Sequence, residues 1–362
     1  QSQGLALDGL TEHNRMFVDV PAGATGLNVT ASGLNASQSN GLEIDLHHVA
    51  FDSAFGEAPF ASPAPGGTPD ATASGSGGNG PSLSLSGGTL QTGRYYVVVR
   101  NALPTAASVT VQAGVDFTQT NVPVKGNLLV SVNRGGIGQG IDYQPIGSAH
   151  GLIWYTYTPD HMPTWYLSAG VAPVGDIWNS DLLRFTNDGT TDALSRVGRV
   201  GVTELAEGDS IFSWTLFGES GSERMGILTG ADTNPCPTID NQVTSISGFW
   251  GKAQTGLGGA SVLMTDAVHA EVHYMYTDTG IPVWLQVIGA SGDNLIMTQF
   301  SGDCPTCQTT GIASADVGLL GFEYTGTSSA EWNLDYMLNN PLSGDIDRDD
   351  TVVKLSDIRA CD

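Results

Sequence analysis

The chain of 362 residues is long enough for two or three domains and is strongly acidic, with 13 Lys and Arg against 37 Asp and Glu. A formal net charge of −24 repels phosphate backbones and anionic membranes, so we expect no nucleic-acid partner. No apolar run reaches the roughly 18 residues of a membrane helix, which predicts no membrane span. Abundant Gly (48) and Pro (17) among short alternating segments predict an all-β protein with little helix.

The first third of the chain reads as short strands joined by turns. A polar leader at 1–12 comes first, and a tract at 62–88 that is rich in Gly, Ser, Pro, Ala and Thr is predicted to be a long loop, because it has little apolar surface to bury. The predicted strands share an alternation of apolar and polar residues and lie at 16–20, 27–31, 42–46, 93–100 and 108–112.

Three segments of this region carry a family resemblance. They are 17–29 with Val-Pro-Ala-Gly, 42–46, and 93–99 with Gly-Arg-Tyr-Tyr-Val-Val-Val. Their order and spacing resemble the bacterial pre-peptidase C-terminal (PPC) domain. The resemblance implies that residues 1–118 form a small jelly-roll-like sandwich of a secreted bacterial protein, without catalysis of its own. The chain departs from the family at 43–47, where Glu-Ile-Asp-Leu-His replaces the usual Asp-x-Asp-Leu-Tyr.

An aromatic hairpin occurs twice in the rest of the chain. Each copy has a Tyr-x-Tyr strand, a polar turn and a second strand that begins with Pro-x-Trp. Corresponding residues are 119 positions apart, pairing Tyr155, Tyr157, Pro163 and Trp165 with Tyr274, Tyr276, Pro282 and Trp284. We expect the Tyr and Trp face of each hairpin to pack into the core of its own domain.

The duplication sets the predicted domain organisation. Residues 119–232 and 233–362 should each form an antiparallel meander of about six strands. Their Gly-Phe-Trp, Tyr-x-Tyr and Pro-x-Trp pattern is similar to an uncharacterised repeat of secreted Gram-negative bacterial proteins, which implies a location and a fold but no activity. The predicted fold class is thus all-β, with three tandem antiparallel sandwich or small-barrel domains, the last two an internal repeat.

All four cysteines lie in the last domain. An even number in a chain that looks secreted predicts two disulfides. We favour Cys236 with Cys361, which closes the longer loop, together with Cys304 and Cys307. The pairing of Cys236 with Cys304 and of Cys307 with Cys361 stays open. The Cys-x-x-Cys spacing also occurs in redox and zinc sites, but no βαβ setting or second close pair supports either.

Two polar clusters could hold a metal. His269, Glu271 and His273 alternate along a predicted strand and should share one face, which we interpret as a solvated face. The acidic segment 344–357 resembles a calcium loop of the dockerin or EF-hand type, although the usual turn glycine is Asp350 and position 12 is Ser356. Calcium binding is one alternative and a solvated acidic tail is the favoured one, for a set comprising Asp345, Asp347, Asp349 and Asp350.

The sequence offers few signs of catalysis. Gly218-Glu-Ser-Gly-Ser222 lacks the final glycine of a nucleophile elbow, and no phosphate-binding loop joins a strand to a helix. Trp178 and Trp250 lie in less regular segments and are the candidate surface aromatics for a glycan. We therefore predict a protein without enzymatic activity and with no required cofactor.

These observations predict a secreted or cell-surface protein that acts in extracellular assembly or adhesion. The start at Gln1 rather than Met indicates a processed chain. Exposed strand edges could pair with a second copy, extracellular matrix or a glycan-bearing surface, with residues 1–12 and 118–124 as donated segments. The alternative is an accessory or carbohydrate-binding component of an extracellular hydrolase system.

Overall fold

The computed structural model describes most of the chain. The described residues are 2–20, 24–50, 68–117, 127–132, 139–173, 176–187, 192–206, 208–227, 236–239, 242–252, 258–277, 279–290, 295–305, 307, 312–326, 328–339 and 341–356. They hold 26 strands, one five-residue helix and one short 3-10 turn, which confirms the all-β, multi-domain fold class.

A two-layer sandwich comes first. Its strands are β1 (Ser2–Leu7), β2 (Glu12–Val20), β3 (Ala24–Gly33), β4 (Leu42–Val49), β5 (Ala71–Ser74), β6 (Ser82–Ser86), β7 (Gly93–Asn101) and β8 (Ala107–Phe117). The order is β1-β8-β3-β6 in one sheet and β2-β7-β4-β5 in the other, with α1 (Ala36–Asn40) and the 3-10 turn Gly87–Thr89 between strands. The second sheet continues into the strands that follow, because β2 also pairs in parallel with a later strand at Met16 and Ser220. The core between the two sheets consists of apolar side chains, and those that are fully buried include Leu27, Val29, Ile44, Val97 and Val99.

Two predictions for this region are wrong in part. The polar leader contains strand β1, in which the buried Leu5 and Leu7 alternate with the exposed Gly4 and Ala6. The tract predicted as one long loop contains β5 and β6, which obtain their order by pairing with β4 and β3. Residues 62–67 of that tract and the predicted linker strand at 118–124 lie outside the described part of the chain.

The next eight strands form a closed ring, here called barrel 1. They are β9 (Asn127–Ser131), β10 (Gly140–Ile146), β11 (Ala149–Tyr157), β12 (Pro163–Val171), β13 (Ile177–Asn187), β14 (Asp192–Ala206), β15 (Asp209–Leu216) and β16 (Glu219–Ile227). Each pairs antiparallel with the next, and β16 closes the ring by pairing with β9. The turn from β15 to β16 is two residues with positive φ, Phe217 (50°) and Gly218 (86°), which matches the twist of a hairpin.

A short pair, β17 (Thr238–Ile239) and β18 (Gln242–Val243), precedes a second closed barrel, barrel 2. Its strands are β19 (Gly248–Lys252), β20 (Gly259–Met264), β21 (Val268–Tyr276), β22 (Pro282–Ala290), β23 (Leu295–Ser301), β24 (Ala313–Gly326), β25 (Ser329–Met337) and β26 (Asp345–Lys354). Each barrel therefore has eight strands rather than the predicted six or so. Closure explains the difference, because it removes the two free edges that a six-stranded meander would leave.

The two barrels repeat each other strand by strand. The hairpins β11–β12 and β21–β22 have the same register, with Tyr155 opposite Trp165 and Tyr274 opposite Trp284. The next seam is narrow in both copies, since β12–β13 and β22–β23 each share only two residue pairs among the described residues.

Candidate functional site

The aromatic hairpins form the junction between the two barrels. Both faces of β11 are apolar: Trp154 packs inside barrel 1, whereas Tyr155 and Tyr157 face outwards. The outer residues, together with Trp165, pack against Trp284 and its neighbours in barrel 2. Our expectation that the Tyr and Trp face enters its own domain core is therefore wrong, because alternation identifies two faces but does not say which one lies inside.

The junction is nearly symmetric. The Trp165 indole N–H donates to the Met275 carbonyl at 3.0 Å, and the Trp284 N–H donates to the Thr156 carbonyl at 2.9 Å. Thr156 and Met275 are themselves 119 residues apart, so the two hydrogen bonds are copies of each other. The Trp165 ring lies 5.5 Å from that of Tyr274, and the Trp284 ring lies 6.2 Å from that of Tyr155. One surface, used twice, holds the barrels together, as in a two-fold homodimer.

A buried polar group lies within this junction. Asp142 is fully buried and accepts hydrogen bonds from Gln144 Nε2 at 2.6 and 2.5 Å and from the Ser261 hydroxyl. Ser261 in turn hydrogen-bonds the Tyr155 hydroxyl. Burial raises the pKa of Asp142 to about 7, although the hydrogen bonds from Ser261 and Gln144 act to lower it. Asp142 is thus the acid of this network, and Ser261 is its counterpart in the second repeat.

His269, Glu271 and His273 lie inside barrel 2. They share one face of β21, as predicted, but their exposures of 0, 0 and 2 % contradict the interpretation as a solvated face. The Glu271 carboxylate contacts His269 Nε2 at 2.5 Å and His273 Nε2 at 2.7 Å. Burial acts to raise the pKa of Glu271, but the two imidazoles outweigh it and lower the pKa to about 2. Glu271 is therefore ionised.

Barrel 1 has no such cluster at the matching positions. His150 corresponds to His269, but the other two positions hold Leu152 and Trp154, which are buried in an apolar interior. A buried ionic cluster is rarely more stable than the apolar packing that could replace it. In addition, the buried His269 Nδ1 has no hydrogen-bond partner in the part of the chain that the structure describes. The polar interior of barrel 2 is thus a specific departure from the repeat, of the kind that functional sites show.

Basic residues meet an acid at one end of barrel 2. Asp350 Oδ2 lies 3.1 Å from Lys252 Nζ and 2.9 Å from Arg348 Nε. The pKa of Lys252 is lowered, mainly by burial and to a smaller extent by the nearby positive charge of Arg348, whereas Asp350 acts to raise it. A cavity of about 200 Å³ opens here, and its lining includes these three residues with His273 and Trp332. We call these five residues the mouth of barrel 2.

The predicted calcium loop is a strand. Residues Asp345–Lys354 form β26 and pair with β25 along its length. The prediction that this segment has the loop conformation of a calcium site is therefore wrong. Asp345, Asp347 and Asp349 are exposed on the outer face, whereas Asp350 faces the cavity. The described residues contain no group of three or more His, Cys, Asp or Glu side chains arranged to hold a metal ion. Calcium binding by this set of acids stays a prediction.

The proposed surface aromatics are buried. Trp178 is 1 % exposed and packs in the interior of barrel 1, where its indole N–H donates to the Val171 carbonyl at 3.0 Å. Trp250 is 0 % exposed inside barrel 2 and donates to the Ile246 carbonyl at 2.8 Å. Neither ring can stack on a glycan, so this prediction is wrong. Irregular sequence around a Trp did not indicate exposure, because both residues lie on regular barrel strands.

The cysteine prediction is settled for one bridge. Cys304 and Cys307 form a disulfide with Cα atoms 5.0 Å apart, which excludes the pairing of Cys236 with Cys304. Cys361 lies outside the described residues, so its bridge to the buried Cys236 stays a prediction. The short bridge lines an apolar cavity of about 450 Å³ together with Tyr157 and Trp214.

Comparisons of the chain with protein-family models, curated proteins and solved structures found no match. Among the described residues, no helix has the length and apolar character that crossing a bilayer requires.

Sequence reasoning did not identify Lys252, Arg348 or Trp332 as site residues. A usable signal was the repeat itself, since Glu271 and His273 occupy positions where the first copy has core residues. The clustering of Lys252 and Arg348 had no such signal, because it depends on closure of the barrel between β19 and β26.

Proposed function

We propose that the protein is a non-enzymatic, secreted β-protein that acts in extracellular assembly, with each copy donating strand β1 to the sandwich of the next. The observation that carries this proposal is the position of β1. It is the edge strand of its sheet and pairs with β8, from Ser2 opposite Gln112 to Leu7 opposite Ala107, while its Gln3 side chain accepts a hydrogen bond from Ser220 of β16. A sheet edge of this kind is where a strand from another chain adds.

The strand carries what a donated strand needs. Leu5 and Leu7 insert into the sandwich core, while Gly4 and Ala6 remain exposed. Leu10 lies in the connection to β2, is 72 % exposed and has a left-handed φ of 58°, which a residue other than Gly rarely adopts. Extending this connection would release that backbone conformation. The donated strand would then make in a neighbouring copy the same hydrogen bonds and apolar contacts that it makes within its own chain.

Geometry also favours a fibre over a closed dimer. Donation of the edge strand β1 is a head-to-tail contact, in which one copy offers β1 and the next offers the groove beside β8. Such contacts propagate into filaments unless the rotation between copies closes a ring. The net charge of −24 opposes non-specific association, so a specific strand exchange is the contact that suits this surface.

A cross-linking experiment tests the proposal. Ala6 and Ser108 are exposed register partners on β1 and β8, so an Ala6→Cys, Ser108→Cys double variant should form a disulfide on oxidation. If β1 is donated, non-reducing electrophoresis of the assembled protein shows a ladder of covalent multimers. Covalent monomers alone would show that β1 stays in its own chain and would contradict the proposal.

The matched control places the two cysteines on strands that cannot be exchanged in this way. Thr30 and Ser82 are exposed register partners on β3 and β6 of the same sheet. A Thr30→Cys, Ser82→Cys variant should cross-link only within each chain. Removal of residues 1–12 should also abolish assembly, as measured by light scattering of residues 13–362.

The mouth of barrel 2 favours a second candidate function. An accessory or carbohydrate-binding component needs a concave site with a few converging polar groups, and this cavity is such a site. Trp178 and Trp250 take no part in it.

A further inference from the structure

Corresponding ends of the two barrels differ in what covers them. In barrel 1 the end that contains Phe212 and Trp214 is covered by the sandwich, whose Phe17 ring lies 5.9 Å from that of Trp214. The Arg94 side chain of the sandwich is also buried there and interacts electrostatically with Glu223. Barrel 1 thus has an arginine from another module beside the acid of its last strand.

Barrel 2 supplies its own cations at the matching place. Phe212 lies opposite Glu223 in barrel 1, and Trp332 lies opposite Asp350 in the corresponding strands of barrel 2. Arg348 and Lys252 contact Asp350 from within the barrel, and the cavity of about 200 Å³ remains beside them. The end that a neighbouring module fills in barrel 1 is therefore a concave site in barrel 2.

The polar atoms around this site are mainly hydrogen-bond donors without acceptors. Arg348 contacts Asp350 through Nε, and its two terminal nitrogens make no hydrogen bond within the described part of the chain. Trp332 is 2 % exposed, and its buried indole Nε1 has no hydrogen-bond partner among the described residues. Three carboxylate oxygens near these donors are occupied, in contrast: both Glu271 oxygens contact imidazoles, and Asp350 Oδ2 contacts both cations. A ligand that completes these hydrogen bonds must supply acceptor oxygens.

The local charge agrees with this requirement. Lys252 and Arg348 together outweigh Asp350 by one positive charge, in a chain with only 13 basic residues. A planar carboxylate suits the two terminal nitrogens of an arginine, which form parallel hydrogen bonds with its two oxygens. The cavity is smaller than the roughly 300 to 1,000 Å³ of sites for drug-sized molecules, so the ligand must be small.

We propose that the mouth of barrel 2 binds a small organic carboxylate of monosaccharide size, with a hexuronic acid as the best-fitting class. The carboxylate contacts Arg348 and Lys252, and a hydroxyl oxygen of the ring accepts the Trp332 N–H. This inference deepens the second candidate function and is independent of strand donation. It assigns the site to an acid and not to a neutral sugar.

Titration calorimetry on the full chain tests the proposal with four probes. We expect D-galacturonate to bind, D-galactose to bind at least tenfold more weakly because it lacks the charge, and acetate to bind weakly because it does not fill the cavity. Polygalacturonate separates two sources of the ligand: binding to the polymer identifies a chain end as the natural occupant, whereas binding to the monomer alone identifies a free acid.

Two variants locate the site. Arg348→Gln should weaken galacturonate binding at least tenfold, and Trp332→Phe, which keeps an aromatic ring but removes the N–H, should weaken it severalfold. The matched control is Arg196→Gln, since Arg196 is an exposed arginine of barrel 1 that contacts Asp181 at 3.0 Å. Circular dichroism checks that each variant is folded.

The outcomes distinguish the proposals. Equal binding of galactose and galacturonate would overturn the acid assignment and leave the carbohydrate-binding function standing. Unchanged binding in Arg348→Gln would place the ligand elsewhere and overturn the site, as would a folded protein that binds none of the four probes. None of these results bears on cross-linking through β1.

Discussion

Two buried acids have pKa values shifted in opposite directions. Glu271 has its pKa lowered to about 2 because His269 and His273 outweigh the effect of burial. Asp142 has its pKa raised to about 7 because burial outweighs the hydrogen bonds from Ser261 and Gln144. Each shift links folding to pH in its own window, since the group binds protons differently in the folded and unfolded chains.

The signs follow from the unfolded values. Glu271 has a folded pKa below its unfolded value of about 4.3, so its contribution to stability is complete above that pH and is lost as the pH falls towards 2. Asp142 has a folded pKa above its unfolded value of about 3.9. Its contribution is therefore complete below that pH and is lost as the pH rises towards 7.

An Asp142→Asn variant should isolate the second effect. Asparagine stays neutral at every pH, so the variant and the wild type should have similar free energies of unfolding near pH 4. At pH 8 the free energy of unfolding of the variant should be higher by up to roughly 4 kcal/mol. Urea unfolding at pH 4, 6 and 8 measures the difference. Asp266→Asn, at an exposed turn residue of barrel 2, is the control and should leave the profile unchanged. Equal slopes of stability against pH in the wild type and in Asp142→Asn would refute the shift.

At the scale of elements, the duplicated hairpin acts as a connector. A strand with aromatic residues on both faces can fill one barrel and bind a second, as β11 does with Trp154 inside and Tyr155 outside. The two cross-barrel indole hydrogen bonds are made by the same residue of each repeat, Trp165 and Trp284. The two hydrogen bonds should therefore contribute similarly to the free energy of unfolding.

Trp165→Phe and Trp284→Phe should lower the free energy of unfolding by similar amounts, about 1–3 kcal/mol each, because each leaves a buried carbonyl without its donor. Both should also speed hydrogen exchange in the junction strands β11 and β21. Trp178→Phe is the control, since its indole bonds within barrel 1 and its loss should not change exchange in β21. Markedly unequal effects of the two hairpin variants would argue against a symmetric junction.

The positions of the strands were predicted from the sequence more accurately than the strands and side chains with which they pack. Alternation and the 119-residue offset identified both hairpins, and the structure confirms the all-β class. An alternating sequence, however, defines two faces of a strand without saying which one lies inside the barrel. Only closure of the ring decides this, and it places Trp154 inside barrel 1 and Tyr155 outside. The acidic segment was misread for a related reason: Asp disfavours strands locally, but pairing with β25 along the whole of Asp345–Lys354 overrides that preference.

The candidate site was predictable only in part. The shared face of His269, Glu271 and His273 follows from their spacing, whereas their burial follows from the surrounding strands. Lys252 and Arg348 are far apart in the chain and meet because β19 pairs with β26. Such a non-local contact leaves no local pattern, so it could not be predicted from one sequence.

At the scale of the whole molecule, a buried ion pair between β2 and β7 of the sandwich lies against β16 of barrel 1. Arg94 Nε and Nη2 donate to the two Asp19 oxygens at 2.7 and 3.0 Å, and both side chains are 0 % exposed. The Asp19 backbone N–H donates to the Ser222 hydroxyl of β16 at 3.1 Å. Burial acts to lower the pKa of Arg94, but Asp19 first and then Glu223 outweigh it and raise the pKa. Arg94 is therefore always charged and links two modules.

Loss of this cation should separate the unfolding of the sandwich from that of barrel 1. Arg94→Gln breaks the buried ion pair with Asp19 and removes the positive charge beside Glu223, which costs about 3–5 kcal/mol. We expect calorimetry to show an additional, earlier transition for the sandwich. Arg100→Gln is the control on the same strand, because the ion pairs of Arg100 are with Glu12 and Asp45 of the sandwich, at 3.1 and 2.7 Å. It should weaken the sandwich without an added transition. The same single transition in Arg94→Gln would mean that other contacts, such as the pairing of β2 with β16 and Phe17 with Trp214, suffice to couple the modules.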